Sequence, residues 1–173
     1  GLGSAAARAS TVRLSRAVEA LLDAGATVDT STNNGMSCAI NEACAQPSAL
    51  MRLKALLDHG ADIEQRSRVG GWTPLQTAAE HGNAAAAELL LRRGADINAV
   101  DPQGKSALLW ACIRGKHEVL SVLLRWGAEV GGVTSLQGES AMDLAARSAK
   151  CRSLLLGECE LYPKLRLDME GDE

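Results

Sequence analysis

Apolar residues in this chain recur at helical spacing rather than in the strict alternation of a half-buried strand. Val119, Leu120, Val122, Leu123 and Leu124 fall on one face of a helix, and the segment Ser15 to Ala24 reads as a helix of the same kind. Shorter segments precede such helices and carry a pair of small residues: Ala78-Ala79, Ala111-Cys112 and Ala145-Ala146. Small side chains there predict a first helix that a neighbour can approach closely. Thr73-Pro74-Leu75-Gln76 explains how such a helix starts, because Thr73 can cap it, Pro74 fits its first position and Gln76 can close a capping box. Gly82 and Gly115 allow the tight reversal into the second helix, and Gly94 and Gly127 end that helix in the left-handed conformation. Asp101-Pro-Gln-Gly104 then supplies turn chemistry for a projecting finger. The pattern predicts Leu90, Leu123 and Leu124 in the core.

These units repeat. Gly25-Ala-Thr-Val-Asp29, Gly60-Ala-Asp-Ile-Glu64, Gly94-Ala-Asp-Ile-Asn98 and Gly127-Ala-Glu-Val-Gly131 lie 35, 34 and 33 residues apart. A second phrase keeps step with them: Thr73-Pro-Leu-Gln-Thr-Ala-Ala79 is echoed by Ser106-Ala-Leu-Leu-Trp-Ala-Cys112, Ser140-Ala-Met-Asp-Leu-Ala-Ala146 and, weakly, Cys38-Ala-Ile-Asn-Glu-Ala-Cys44. Period and wording resemble the ankyrin repeat. That resemblance covers residues 5 to 157 and implies an all-α solenoid of stacked helix-turn-helix units with hairpin-like fingers. The expected division is a helical cap repeat at about 5–32, repeats at about 33–67, 68–100 and 101–134, and a cap at 135–157. Terminal repeats depart from the pattern because one face meets water. Repeat two departs most, with Cys38-Ala39 in place of Thr-Pro and with Gln46-Pro47-Ser48 lengthening the turn between its helices. Residues 158–173 read as an extended C-terminal segment with an acidic end, and residues 1–4 as an appended remnant on part of a longer protein.

Composition narrows the function. Ala (29) and Leu (25) against three Trp, one Tyr and no Phe suit many small, closely packed helices. A net charge of −3 supplies no basic field for nucleic acid, and no apolar run approaches the roughly 18–20 residues of a membrane helix. Five cysteines show neither a disulfide framework nor a C-x-x-C pair and are read as reduced thiols of an intracellular protein, cytoplasmic or nuclear. Cys44 and Cys112 occupy small-residue positions and are expected to be buried and inert, whereas Cys151 and Cys159 are the candidates for exposed thiols. His59 and His117 fall near the ends of second helices, where cations favour the last turn or solvent, as structural or exposed groups, while His81 stands where a ligand would be met. No histidine has metal-ligand spacing, and there is no G-x-S-x-G elbow, phosphate loop or dinucleotide fingerprint. The sequence therefore predicts no enzyme, no cofactor and no metal.

What remains is binding. Residues next to the small pair of each first helix should face the concave side: Glu42 and Gln46, then Thr77, Glu80 and His81, then Trp110, Ile113 and Arg114, then Arg147. Finger positions add Trp72, Gln103, Lys105 and Glu139. Two roles are open for Trp110: a groove anchor, which the resemblance implies, or a filler between Thr77 and Leu144. The expected partner is a protein or peptide with apolar anchors beside Trp110 and an acidic group near Arg114 and Arg147. The alternative is an inert scaffold, or a spacer that regulates an enzyme domain or partner outside this chain. Trp126 is expected on the outer side. Leu90 to Asn98 also resembles the context in which ankyrin-repeat asparagines are hydroxylated, so Asn98 is either a modified residue or one that bonds the finger backbone.

Overall fold

The structure, a computed structural model, describes residues 17, 20, 23, 24, 39–130, 137–146 and 148–161, with 158–161 described by backbone alone. Eight helices are described: α1 (Ala39–Ala45), α2 (Leu50–Asp58), α3 (Pro74–His81), α4 (Ala84–Arg92), α5 (Ala107–Ile113), α6 (His117–Arg125), α7 (Ala141–Ala145) and α8 (Ala149–Leu161). The β-type pairing among the described residues is one isolated bridge, Val100 to Ser106, at the base of a finger. Each odd-numbered helix turns back into the even-numbered one that follows. First helices stack in the order α1, α3, α5, α7, and second helices in the order α2, α4, α6, α8. The architecture is therefore an all-α repeat solenoid. The expected first repeat lies outside the described residues except at four positions.

Local chemistry starts the helices as the sequence suggests. Thr73 Oγ1 accepts from Gln76 N at 3.3 Å, and Gln76 Oε1 accepts from Thr73 N at 2.8 Å, closing a capping box. Ser140 and Asp143 form the same box on α7, and the Ser140 hydroxyl holds the Asp143 carboxyl below the usual carboxylate range. In repeat two Pro47–Ala49 forms a turn of 3-10 helix between α1 and α2, which accommodates the longer connection. Gly82 ends α3 at φ +80, and a Cβ there would lie 2.8 Å from the Lys116 side chain. The backbone angle strains any residue with a Cβ, whereas the Lys116 side chain could shift to make room.

The core runs along both rows of helices. Ala78, Ala79, Ala111 and Cys112 are fully buried between neighbouring first helices, and Leu90, Leu120 and Leu123 fill the second-helix row. Repeat five carries polar residues at positions that are apolar and buried in repeat four. Asp143 stands three residues after Ser140 where buried Leu109 follows Ser106, and Arg152 follows Cys151 as buried Leu120 follows Val119; both replacements are exposed. α8 runs four residues past the expected boundary at 157. Cys151, expected as an exposed thiol, is instead fully buried. Its first-turn position on α8 faces the preceding repeat, a placement that only the stacking decides.

Buried polar side chains tie the repeats to one another. Asn83 caps α4 through Oδ1 (3.2 Å from Ala86 N) and donates through Nδ2 to the Cys44 carbonyl of the previous repeat at 3.0 Å. Gln76 Nε2 donates to the carbonyls of Ala99 in its own repeat (2.8 Å) and Lys105 in the next (3.0 Å), while Asn41 donates to the Gln65 carbonyl of its own repeat (3.0 Å) and accepts from the Thr77 hydroxyl of the next at 3.1 Å.

Leu90→Ala and Leu123→Ala are each expected to lower stability by about 2–5 kcal/mol, read as a shift of the denaturant midpoint in one cooperative transition. Burial pushes the Cys112 thiol up to about 12 and the Cys44 thiol higher still. Alkylation at pH 8 is therefore expected to spare Cys44, Cys112 and Cys151 in the native protein and to modify all three after denaturation.

Candidate protein-binding face

The first helices and the fingers carry a cluster that joins repeats three and four. Trp110, on α5, is only 7% exposed. Its indole N–H donates to Asp101 Oδ2 at 2.9 Å, while Asp101 Oδ1 accepts from the backbone N–H groups of Gln103 (2.8 Å) and Lys105 (2.9 Å). One buried carboxylate thus fixes the finger turn and the tryptophan together. Trp72, half-buried at the base of the preceding finger, meets Trp110 edge to face with ring centroids 5.0 Å apart. Lys105 Nζ lies 5.1 Å from the Trp110 ring centroid and the Arg114 guanidinium 5.7 Å, both cation–π arrangements. The two fingers also touch, since a Cβ on Gly71 would lie 2.8 Å from Pro102.

Several site residues differ from their expected placement. Thr77 is buried, with its hydroxyl 3.1 Å from both Asn41 Oδ1 and the Thr73 carbonyl, so it belongs to the joint between repeats rather than to the exposed face. Trp110 is buried too, and acts on the surface through the groups it holds. Arg114 already has a carboxylate: its Nη2 donates to Glu80 Oε1 at 2.6 Å, across the joint between repeats. Glu42 and Gln46 are exposed on and beside α1, with Gln46 accepting from Arg52 at 2.6 Å. His81 is exposed, with Nδ1 3.0 Å from the Thr77 carbonyl and 3.7 Å from Glu80. Ile113 and Lys105 are half-buried, Gln103 and Glu139 exposed. Arg147 lies outside the described residues.

Asn98 is exposed, and its Oδ1 accepts from the backbone N–H of Glu129 in the next repeat at 3.3 Å. It bonds the neighbouring turn rather than its own finger. Glu64 has the same role one repeat earlier, accepting from Asp96 N at 2.8 Å; partial burial leaves its carboxyl above the usual range although that bond opposes the shift.

Asp101, Gln76 and Asn41 were not legible as site residues. Asp101 reads as an ordinary turn residue, and its link to Trp110, nine positions on, exists only in three dimensions. An open cleft lined by His81, Gly82, Arg114, Lys116, His117 and Glu118 lies at the reversals of repeats three and four, and His117, expected near the end of a second helix, is instead the first residue of α6, directly after the Gly115 reversal. No group of acidic, histidine or cysteine side chains among the described residues could hold a metal ion.

Comparison with known proteins agrees with this architecture. The family model described as ankyrin repeats (3 copies) matches residues 5–101, and that for a single ankyrin repeat matches residues 103–132. The chain belongs to the ankyrin repeat family. It is 33% identical over 122 residues to a probable E3 ubiquitin-protein ligase, XBOS32, of Oryza sativa subsp. japonica, across 70% of this chain and 25% of that protein. It is 30% identical over 165 residues to ankyrin repeat and SOCS box protein 6 of Homo sapiens, across 91% of this chain and 37% of that protein. With the B-cell lymphoma 3 protein homolog of Mus musculus the identity is 31% over 148 residues, 82% of this chain and 32% of the relative. The chain thus spans between a quarter and two fifths of the length of these three relatives.

Asp101→Ala leaves three donors without their acceptor and is expected to cost about 1–3 kcal/mol while changing tryptophan emission at constant helix content, measured by fluorescence and circular dichroism. A second expectation concerns His59, whose Nε2 lies 2.9 Å from Asp23 Oδ1 and whose Nδ1 lies 2.9 Å from the Ala55 carbonyl. The Asp23 contact, then that carbonyl, raise its pKa above 6.5. The favourable contact is therefore present below the unfolded pKa and lost as pH rises through the folded one. An NMR titration is expected to place the His59 midpoint above 6.5, and Asp23→Asn to return it toward that value.

Proposed function

We propose that this chain is a non-catalytic module that binds a partner protein through its first-helix face and the fingers of repeats three and four. Ankyrin repeats are protein–protein interaction modules. The observation that supports the reading for this chain is the cluster around Trp110, which holds Trp72, Lys105 and Arg114 at fixed positions on this face. Holding these groups before contact lowers the ordering cost of association. The apolar anchor for a partner is Trp72 rather than Trp110, and the acidic group of the partner meets Lys105 and the outer side of Arg114. No helix among the described residues is long and apolar enough to cross a membrane.

The test is affinity capture with the wild-type chain and with a Lys105→Glu, Arg114→Glu double variant, partners being identified by mass. Capture is expected to weaken at least tenfold, about 1.4 kcal/mol, with helix content and melting cooperativity retained. Full retention of every captured protein by the folded variant would sink the assignment of this face.

A further inference from the structure

Along the outer side of the solenoid, the C-terminal ends of second helices are tied by a side-chain donor and an acid at two successive joints. His59 meets Asp23 at 2.9 Å, and Arg93 meets Asp58 at 2.7 Å. In each case one donor meets one carboxylate. The joint between repeats three and four departs from that rule. Glu88 receives Arg92 through both Nε and Nη2 at 3.2 Å, Arg125 at 3.2 Å, and the Trp126 indole N–H at 3.3 Å. Burial would raise the Glu88 carboxyl, but the bonds from Trp126 and Arg92 and the charges of Arg125 and Arg92 outweigh it and hold Glu88 ionised. Two guanidiniums therefore share one negative charge, and one positive charge is left over.

Those guanidiniums are open to solvent, with the Arg92 and Arg125 side chains 67% and 62% exposed against 26% for Glu88. Trp126 is 42% exposed, whereas Trp110 is buried and Trp72 half-buried. Its N–H is occupied by Glu88, which orients the ring. The space above Gly94 and Gly127 is empty, with nothing within 4 Å of a Cβ built on either. An oriented aromatic surface beside a surplus guanidinium fits a segment that carries both a carboxylate and an apolar side chain.

We propose that Trp126, Arg92 and Arg125 form a second docking surface, on the face opposite the first helices, for an acidic segment of a partner protein. A carboxylate of that segment shares the two guanidiniums with Glu88, and a neighbouring apolar side chain lies on the Trp126 ring. A protein segment fits better than a phosphate polymer because the surplus is a single charge, next to an Arg93–Asp58 pair that is neutral in sum, on a chain of net charge −3.

The test is a titration of the chain, followed by NMR at the tryptophan indole N–H signals, with the capped hexapeptide Glu-Glu-Leu-Leu-Glu-Glu. Its counterpart with Lys for every Glu, and polyuridylate, serve as parallel probes. The acidic peptide is expected to move the Trp126 signal with a saturable dissociation constant. Affinity is expected to fall at least tenfold in Arg125→Glu, read at the Trp126 signal, and in Trp126→His, read against wild type by isothermal titration calorimetry because the variant lacks that indole; the histidine keeps a ring donor such as His59 provides at its own joint. Both variants are to be checked for wild-type circular dichroism and melting, and Arg92→Gln, expected to weaken binding in the same direction, replaces either one that fails to fold. The proposal is overturned by no saturable binding up to millimolar peptide, by unchanged affinity in the folded variants, or by equal binding of the Lys peptide. Stronger binding of polyuridylate overturns it as well, and so does loss of peptide binding in Lys105→Glu, Arg114→Glu with Trp126 unmoved. That last pattern would put the acidic segment on the first-helix face.

Discussion

Helices as short as α5 (seven residues) and α6 (nine residues) are marginal alone, because a costly nucleus is followed by too few hydrogen bonds. Every repeat here depends on burying its apolar stripe against the next one, and the close approach this needs explains the small residues of the first helices. Ala78, Ala79, Ala111 and Cys112 lose all their exposure to neighbouring repeats, and larger side chains would push the two rows of helices apart. The second helices use larger residues because that row must fill more space: Leu90, Leu120 and Leu123 are fully buried there.

Apolar contact is non-directional and would tolerate some sliding of one repeat on the next. The buried amides remove that freedom. Gln76 and Asn83 each donate to a backbone carbonyl of a neighbouring repeat, Asn41 accepts from the Thr77 hydroxyl of the next, and a shift of register would leave those polar groups buried without partners. Exposed pairs such as Arg93 with Asp58 add little energy by comparison and follow the register rather than set it.

The same economy shapes the surface. Asp101 is buried because three donors converge on it, and its presence turns a flexible finger into a support for Trp110, Lys105 and Trp72. On this face Trp72, Lys105 and Arg114 stand half-buried or exposed, while Trp110 and Asp101, which position them, are buried. On the outer side, Glu88 gathers Arg92, Arg125 and Trp126 in a comparable way, but there the gathered groups themselves remain in solvent.

The all-α repeat architecture, the capping of α3 by Thr73 and Gln76, the burial of Cys44 and Cys112 and the core leucines were legible in the sequence, because each follows from local periodicity or from chemistry spanning three or four residues. The site was legible only as a stretch of positions. Counting along a helix identifies which residues share a face, but it does not tell which of them the next repeat covers, and so Thr77, Trp110 and Cys151 read as accessible when stacking buries them. Arg114 read as free because its partner, Glu80, lies 34 positions away. Partners a whole repeat apart become neighbours only when the solenoid closes, and that step of about 33 residues, set by helix-on-helix packing, decided which groups this chain uses on itself and which it leaves in solvent.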